Sequence, residues 1–111
     1  MSRPFSYNDE NFTVIGNMLF GHIKVPKGTS VNIRQKIVEA PPELFKRMAS
    51  FANYAIPSKA DTGGIPPKTL GLYVDKDNGI PYFYSTDSYN PGSYYDGYLY
   101  FNYYLKRHLR R

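Results

Sequence analysis

The chain has 111 residues, no cysteine and no tryptophan, with 14 Lys and Arg against nine Asp and Glu, a formal net charge of +5. This length suits one domain with a modest core, so residues 1–111 are predicted to form a single domain. The lack of cysteine excludes disulfides and cysteine metal sites. The sequence contains no run of about 18 apolar residues, so no membrane span is predicted. Residues 1–5 are not followed by the apolar core of a secretory signal, so no such signal is predicted.

The positive charge is unevenly distributed along the chain. Residues 1–60 contain eight Lys and Arg against four acidic residues, residues 61–105 contain two against five, and residues 106–111 contain four against none. Most tyrosines lie in the acidic middle segment, whereas nucleic-acid binding by stacking requires cations interleaved with aromatic rings. We therefore do not expect nucleic acid as a partner, and we interpret the cations as a solvated basic face and a basic tail.

Residues 11–25 predict a β-hairpin, preceded by an extended N-terminal arm at residues 1–10. Gly16 and Asn17 suit a two-residue type II′ turn, because Gly accepts the positive φ required at the first turn position. The register of that turn separates two apolar faces. One face contains Phe12, Val14, Leu19 and Ile23, and the other contains Thr13, Ile15, Met18 and Phe20.

Residues 40–56 predict the only α-helix. Pro41 and Pro42 suit the first helical turn, and Glu43 complements the positive end of the helix dipole. The apolar residues at helical spacing are Leu44, Met48, Phe51, Ala52 and Ala55. We expect this stripe to cover one face of the hairpin, which leaves the other face for a partner.

The remaining segments predict further strands and loops. Residues 31–38 alternate as a half-exposed third strand, and residues 57–68, rich in Pro and Gly, are expected to form a connector or a protruding contact loop. Residues 69–75 and 80–85 flank a strong turn sequence at residues 76–79, which predicts a second hairpin.

The C-terminal third is rich in tyrosine. Residues 86–97 have the composition of a contact loop, and a local cluster packed on its own domain is an equally open interpretation. Residues 98–105 predict a final strand, with Leu99, Phe101, Tyr103 and Leu105 facing the core and Tyr98, Tyr100, Asn102 and Tyr104 facing outward. These outward tyrosines are a second candidate contact surface.

No catalytic constellation is evident. His22 and His108 are the only histidines, and neither has a carboxylate at a motif spacing. The acidic turn at residues 75–79 does not match a calcium loop, because Ile80 and Thr86 stand where glycine and glutamate are required. We expect a protein that is not an enzyme and that uses no cofactor, no metal and no small-molecule substrate.

Residues 3–17, followed by Leu19 and Phe20, and then residues 41–44, carry a family resemblance. This stretch resembles small virion proteins of tailed bacteriophages, in particular the head-fibre or capsid-auxiliary proteins of crAss-like phages. The resemblance covers roughly the first 50 residues. It implies an oligomeric, non-enzymatic structural protein of the virion, attached to the capsid or to another part of the particle.

The sequence thus predicts an α+β domain: a small antiparallel β-sheet of about five strands with one packed α-helix, formed by residues 11–105, with the arm at residues 1–10 and a basic tail at residues 106–111. The predicted function is a structural or assembly protein that forms a dimer or trimer and contacts other virion proteins such as capsid. The alternative is a small phage-encoded regulator or inhibitor that binds a host protein or nucleic acid. The predicted interface residues are Phe5, Tyr7, Ile15, Met18, Phe20, Tyr98, Tyr100 and Tyr104, and the predicted contacts to an acidic partner are Lys106, Arg107, Arg110 and Arg111.

Overall fold

The computed structural model describes residues 6–48, 54–60 and 69–105. Every strand pairing in this part of the chain is antiparallel, and the strands follow the spatial order β1-β2-β3-β8-β5-β6-β7-β4. The strands are β1 (Ser6–Asn8), β2 (Phe12–Ile15), β3 (Met18–Val25), β4 (Lys36–Glu39), β5 (Tyr54–Ala60), β6 (Leu70–Val74), β7 (Pro81–Ser85) and β8 (Gly97–Tyr104), and a 3-10 helix spans Pro42–Arg47.

Strand β5 is shared between two sheets. Its first two residues pair with β6, and its remainder pairs with β8. The register shifts between Pro57 and Lys59, which is consistent with proline having no N–H to donate to the ladder. We call the sheet of β1, β2, β3 and β8 the first sheet, and that of β6, β7 and β4 the second sheet.

The core lies between the inner faces of the two sheets. Phe83 of β7 is fully buried, and its ring centroid lies 5.0 Å from that of Phe101, 5.8 Å from that of Tyr103 and 6.0 Å from that of Phe12. Since Phe83 belongs to the second sheet and the other three rings to the first, this aromatic cluster joins the sheets face to face, as in a β-sandwich.

The predicted α+β class is wrong, because the described residues contain no α-helix. The segment that begins at Pro42 forms one short 3-10 helix, and Ala55 and Pro57 belong to β5. Leu44 and Met48 are buried as the apolar stripe predicted, whereas Phe51 and Ala52 lie outside the described residues. The helical spacing was misleading because β5 is held by pairing with β6 at its first two residues and with β8 along the rest, contacts with distant residues that the local pattern does not contain.

The first hairpin has the predicted register. Ile15 pairs with Met18, Val14 with Leu19, Thr13 with Phe20 and Phe12 with Gly21, and the φ of Gly16 is +62°. The face of Phe12, Val14, Leu19 and Ile23 is buried, but the second sheet covers it in place of the expected helix. The turn is also tied to the 3-10 helix, because the buried Arg47 donates to the Asn17 Oδ1 at 2.6 Å.

The predicted third strand is shorter than expected. Only Lys36–Glu39 forms β4, while Val31 makes a single isolated bridge with Tyr89. Between them Arg34 adopts a left-handed φ of +68°, which interrupts the alternation, and Ile33 is consequently 61% exposed rather than turned inward. The second hairpin is confirmed as β6 and β7, and β8 has the predicted inner residues buried.

The predictions for the chain ends and the long loop change as well. Residues 6–8 of the expected arm form β1, which pairs with β2 at the edge of the first sheet. Of the expected connector at residues 57–68, the part up to Ala60 belongs to β5. Residues 1–5, the rest of that connector and the basic tail at residues 106–111 lie outside the described residues.

The turn between β1 and β2 is built around Asp9. Its Oδ1 accepts the backbone N–H groups of Asn11 and Phe12 at 2.8 and 2.7 Å, and its Oδ2 accepts the Tyr7 hydroxyl at 2.8 Å. Partial burial acts to raise the pKa of Asp9, but these three hydrogen bonds outweigh it and hold the pKa below its usual value. The hydrogen bond from the Tyr7 hydroxyl to Asp9, together with the negative charge of Asp9, raises the pKa of Tyr7 to about 12.

Acidification is expected to destabilise the fold through Asp9. Because its folded-state pKa is lowered, the carboxylate contributes stability that is present above the unfolded-state pKa and is lost as the pH falls through the folded-state pKa. Asp9→Asn is expected to lose about 1 kcal/mol of unfolding free energy at neutral pH. The free energy of unfolding of this variant is also expected to fall less steeply than that of wild type as the pH is lowered. Urea denaturation across the acid range, with the exposed Asp77→Asn as control, measures this; an acid limb unchanged by Asp9→Asn would contradict it.

Candidate interaction surface

The outer face of the first sheet unites the two contact surfaces predicted from the sequence. Met18 of β3 lies opposite Ile15 on β2 and opposite Tyr104 on β8. Side chains directly opposite one another in antiparallel strands are close neighbours, so these three form one apolar row. Phe20 lies two residues further along β3 on the same face. The hairpin face and the tyrosine face are therefore one continuous surface.

We call Ile15, Met18, Phe20 and Tyr104 the apolar end of this face. Ile15 is 67% exposed, Tyr104 is 65% exposed and Phe20 is 38% exposed, while Met18 is half-buried. The residues that alternate with them point into the core, so the strands cannot turn these side chains inward without exposing the core. This apolar area faces solvent in the isolated chain.

The other half of the face combines aromatic and basic side chains. Tyr100 pairs with His22 and Tyr98 with Lys24, and the rings of Tyr98 and Tyr100 lie nearly parallel with centroids 6.4 Å apart. An open depression of about 710 Å³ lies here. It is lined by Glu10, Asn11, Phe20, Gly21, His22, Lys24, Tyr98, Tyr100, Phe101 and Asn102.

Asp96 offsets the positive charge at the rim of this depression. The Lys24 Nζ lies 3.4 Å from the Asp96 carboxylate, whose other oxygen accepts the backbone N–H of Lys27 at 2.9 Å. This backbone hydrogen bond first, and then the charges of Lys24 and Lys27, hold the pKa of Asp96 below its usual value. Lys24 is therefore engaged with a carboxylate, and this half of the face offers little uncompensated charge.

Tyr7, another predicted interface residue, lies on the opposite face of this sheet. Tyr7 lies opposite Val14 and packs against the core, so it belongs to the inner face of the first sheet rather than to the outer face. Phe5 and the tail residues Lys106, Arg107, Arg110 and Arg111 lie outside the described residues.

The tyrosine-rich segment at residues 86–97 has features both of a contact loop and of a cluster packed on its own domain. Tyr89 is 2% exposed and exchanges backbone hydrogen bonds with Val31, which makes it part of the core. Tyr94 and Tyr95 are 85% and 75% exposed. The loop thus has a packed side and a solvent-facing side.

A second aromatic surface, which was not predicted from the sequence, lies on the outer face of the second sheet. Tyr73, Tyr82 and Tyr84 lie side by side there, with ring centroids 5.6 Å apart for Tyr73 and Tyr82 and 6.4 Å apart for Tyr82 and Tyr84. Together with Arg34 they line an open depression of about 410 Å³. In the sequence, the alternation of Tyr82 and Tyr84 around Phe83 indicates that the two tyrosines share one face of a strand. The proximity of Arg34 could not be predicted in this way, because it depends on the pairing of β4 with β7.

The described residues contain no cluster of three or more His, Asp or Glu side chains that could hold a metal ion. Within the same part of the chain, no helix has the length and apolar character needed to cross a bilayer. No protein-family model, curated protein sequence or solved structure matches the chain.

Proposed function

We propose that this protein is a non-enzymatic structural or assembly protein of a bacteriophage particle, of the capsid-attached auxiliary or head-fibre type. It forms a dimer or trimer through the outer face of the first sheet. The observation that carries the proposal is the apolar end, where Ile15, Met18, Phe20 and Tyr104 present contiguous apolar area to solvent.

A contact surface explains this area better than chance exposure does. Single exposed apolar residues are common on monomeric proteins, but contiguous patches rimmed by polar groups mark interaction sites. The rim here is polar, since Thr13 and Asn102 flank Phe20 across the strands. Aromatic residues and methionine are also the types enriched at the centres of protein interfaces.

A second copy of the chain is the partner that this geometry suits best. Two sheet faces pack about 10 Å apart through interdigitating side chains, and in a dimer a twofold axis would bring each apolar end against its copy in an isologous contact. The placement in a phage particle is supported by the resemblance of residues 3–17 and 41–44 to small virion proteins.

Co-sedimentation with particles tests the placement in the virion. The purified chain is expected to pellet with purified particles of the phage that encodes it, and to remain in solution when particles are omitted. Antibodies against the chain are also expected to label intact particles. A chain that neither pellets with the particles nor is detected on them would contradict the proposal.

A further inference from the structure

We propose that the outer face of the second sheet binds single-stranded nucleic acid, with a base stacking on the platform of Tyr73, Tyr82 and Tyr84 and a phosphate paired with Arg34. This inference goes beyond the proposed structural role and rests on a different sheet. It also reverses the expectation drawn from the sequence, where the cations and the tyrosines lie in separate segments.

The platform is built by cross-strand pairs. Tyr73 lies opposite Tyr82, and Tyr84 lies opposite Gly71. A Cβ on Gly71 would overlap the Tyr84 ring, so this ring lies over the glycine backbone. All three tyrosines are half-buried. Neighbouring rings are tilted by 59° and 67° to one another, so a base would stack on one ring, which its neighbours hold while part of it remains accessible.

Arg34 supplies the charge. Its guanidinium makes no ion pair or side-chain hydrogen bond with the residues that the structure describes, in contrast to Lys36, whose Nζ lies 2.9 Å from Glu39, and to Lys24 on the first sheet. The backbone of Arg34 is fixed in its left-handed conformation, because its N–H donates to the Ser85 carbonyl at 2.7 Å. A non-glycine residue in this conformation is strained, and Arg34 in this conformation lines the depression beside the tyrosines.

The composition of the depression favours a nucleotide over other ligands. A guanidinium fork matches phosphate oxygens in a bidentate manner, and an aromatic platform accepts any base because every base has a π-face. A sugar would need carboxylate or amide partners around its hydroxyls, and the four lining residues provide neither. The carboxylate of Glu39, which lies opposite Tyr82, is already paired at 2.9 Å with the Lys36 Nζ, which lies 5.7 Å from the Tyr82 ring centroid. The net charge of +5 adds a general attraction for polyanions.

Fluorescence anisotropy of a labelled oligothymidylate of about eight nucleotides tests the proposal, since single-strand sites span about 4–16 nucleotides. We expect micromolar binding that weakens with salt, about tenfold loss of affinity in Tyr82→Ala, and retention in Tyr82→Phe. Arg34→Gly is expected to weaken binding about tenfold without lowering the melting temperature, because glycine accepts the left-handed φ.

The controls separate this surface from the rest of the chain. Lys27→Ala removes one exposed positive charge elsewhere and is expected to leave affinity unchanged, as is Ile15→Thr on the first sheet. The proposal is overturned if the wild-type protein does not bind the oligonucleotide. It is equally overturned if Arg34→Gly and Tyr82→Ala bind as wild type does, because the oligonucleotide would then bind elsewhere on the protein. It is also overturned if thymidine monophosphate competes as well as the oligonucleotide does.

Discussion

Phe83→Ala is expected to unfold with a free energy about 3–5 kcal/mol below that of wild type. The ring is completely buried and contacts Phe12, Phe101 and Tyr103 across the space between the sheets. Its removal leaves a cavity between two hydrogen-bonded sheets, which cannot close without shifting whole strands. Because small domains have only about 5–15 kcal/mol of stability, this loss is expected to bring the protein close to unfolding.

Urea denaturation followed by circular dichroism measures this effect. Phe83→Leu, which keeps most of the apolar volume, is expected to cost about 1.5 kcal/mol or less. Tyr94→Ala, at a position 85% exposed, is expected to change stability by no more than about 0.5 kcal/mol. If Phe83→Ala were as mild as Tyr94→Ala, the face-to-face packing of the two sheets would be contradicted.

Replacing Ile15 and Phe20 together by threonine is expected to weaken self-association by about 2 kcal/mol or more, roughly 30-fold. These two side chains are the more exposed members of the apolar end on the hairpin, whereas Met18 is half-buried. Threonine is β-branched, as Ile15 is, and like both original residues it is favoured in strands. Folding should therefore change little, while each copy of a symmetric contact loses two apolar side chains.

Sedimentation equilibrium combined with thermal unfolding of the same samples separates assembly from folding. A double replacement of Tyr94 and Tyr95 by threonine is the control, because it removes two large side chains that are even more exposed, from a loop instead of the sheet face. This control is expected to associate as wild type does. If both double variants associate equally well, or if the Ile15 and Phe20 variant loses folding and association together, the assignment of the interface fails.

Local patterns predicted the parts of the fold that depend on local chemistry. The turn at Gly16 and Asn17 fixes the register of the first hairpin, and strict alternation along residues 98–105 identifies which side chains of β8 enter the core. Both predictions needed only neighbouring residues and the twofold period of a strand.

The errors arose where the answer depends on distant residues. Apolar spacing in residues 44–55 fits a helix, but β5 is fixed by its pairing with β6 and β8, which no local pattern contains. The distribution of charge along the chain likewise did not contain the pairing of β4 with β7, which brings Arg34 beside tyrosines about 40–50 residues away in sequence. The outer face of the first sheet likewise became continuous only through the pairing of β3 with β8.

The outer face of the first sheet is proposed to be an interface between copies of this chain. Light scattering on the purified wild-type protein from about 1 to about 100 micromolar tests it most directly, because this range brackets the affinities of weak and moderate homodimers. The molar mass is expected to rise to two or three times that of the chain within this range, and to remain nearer that of the monomer in the Ile15 and Phe20 variant. A wild-type protein that stays monomeric throughout would contradict the claim.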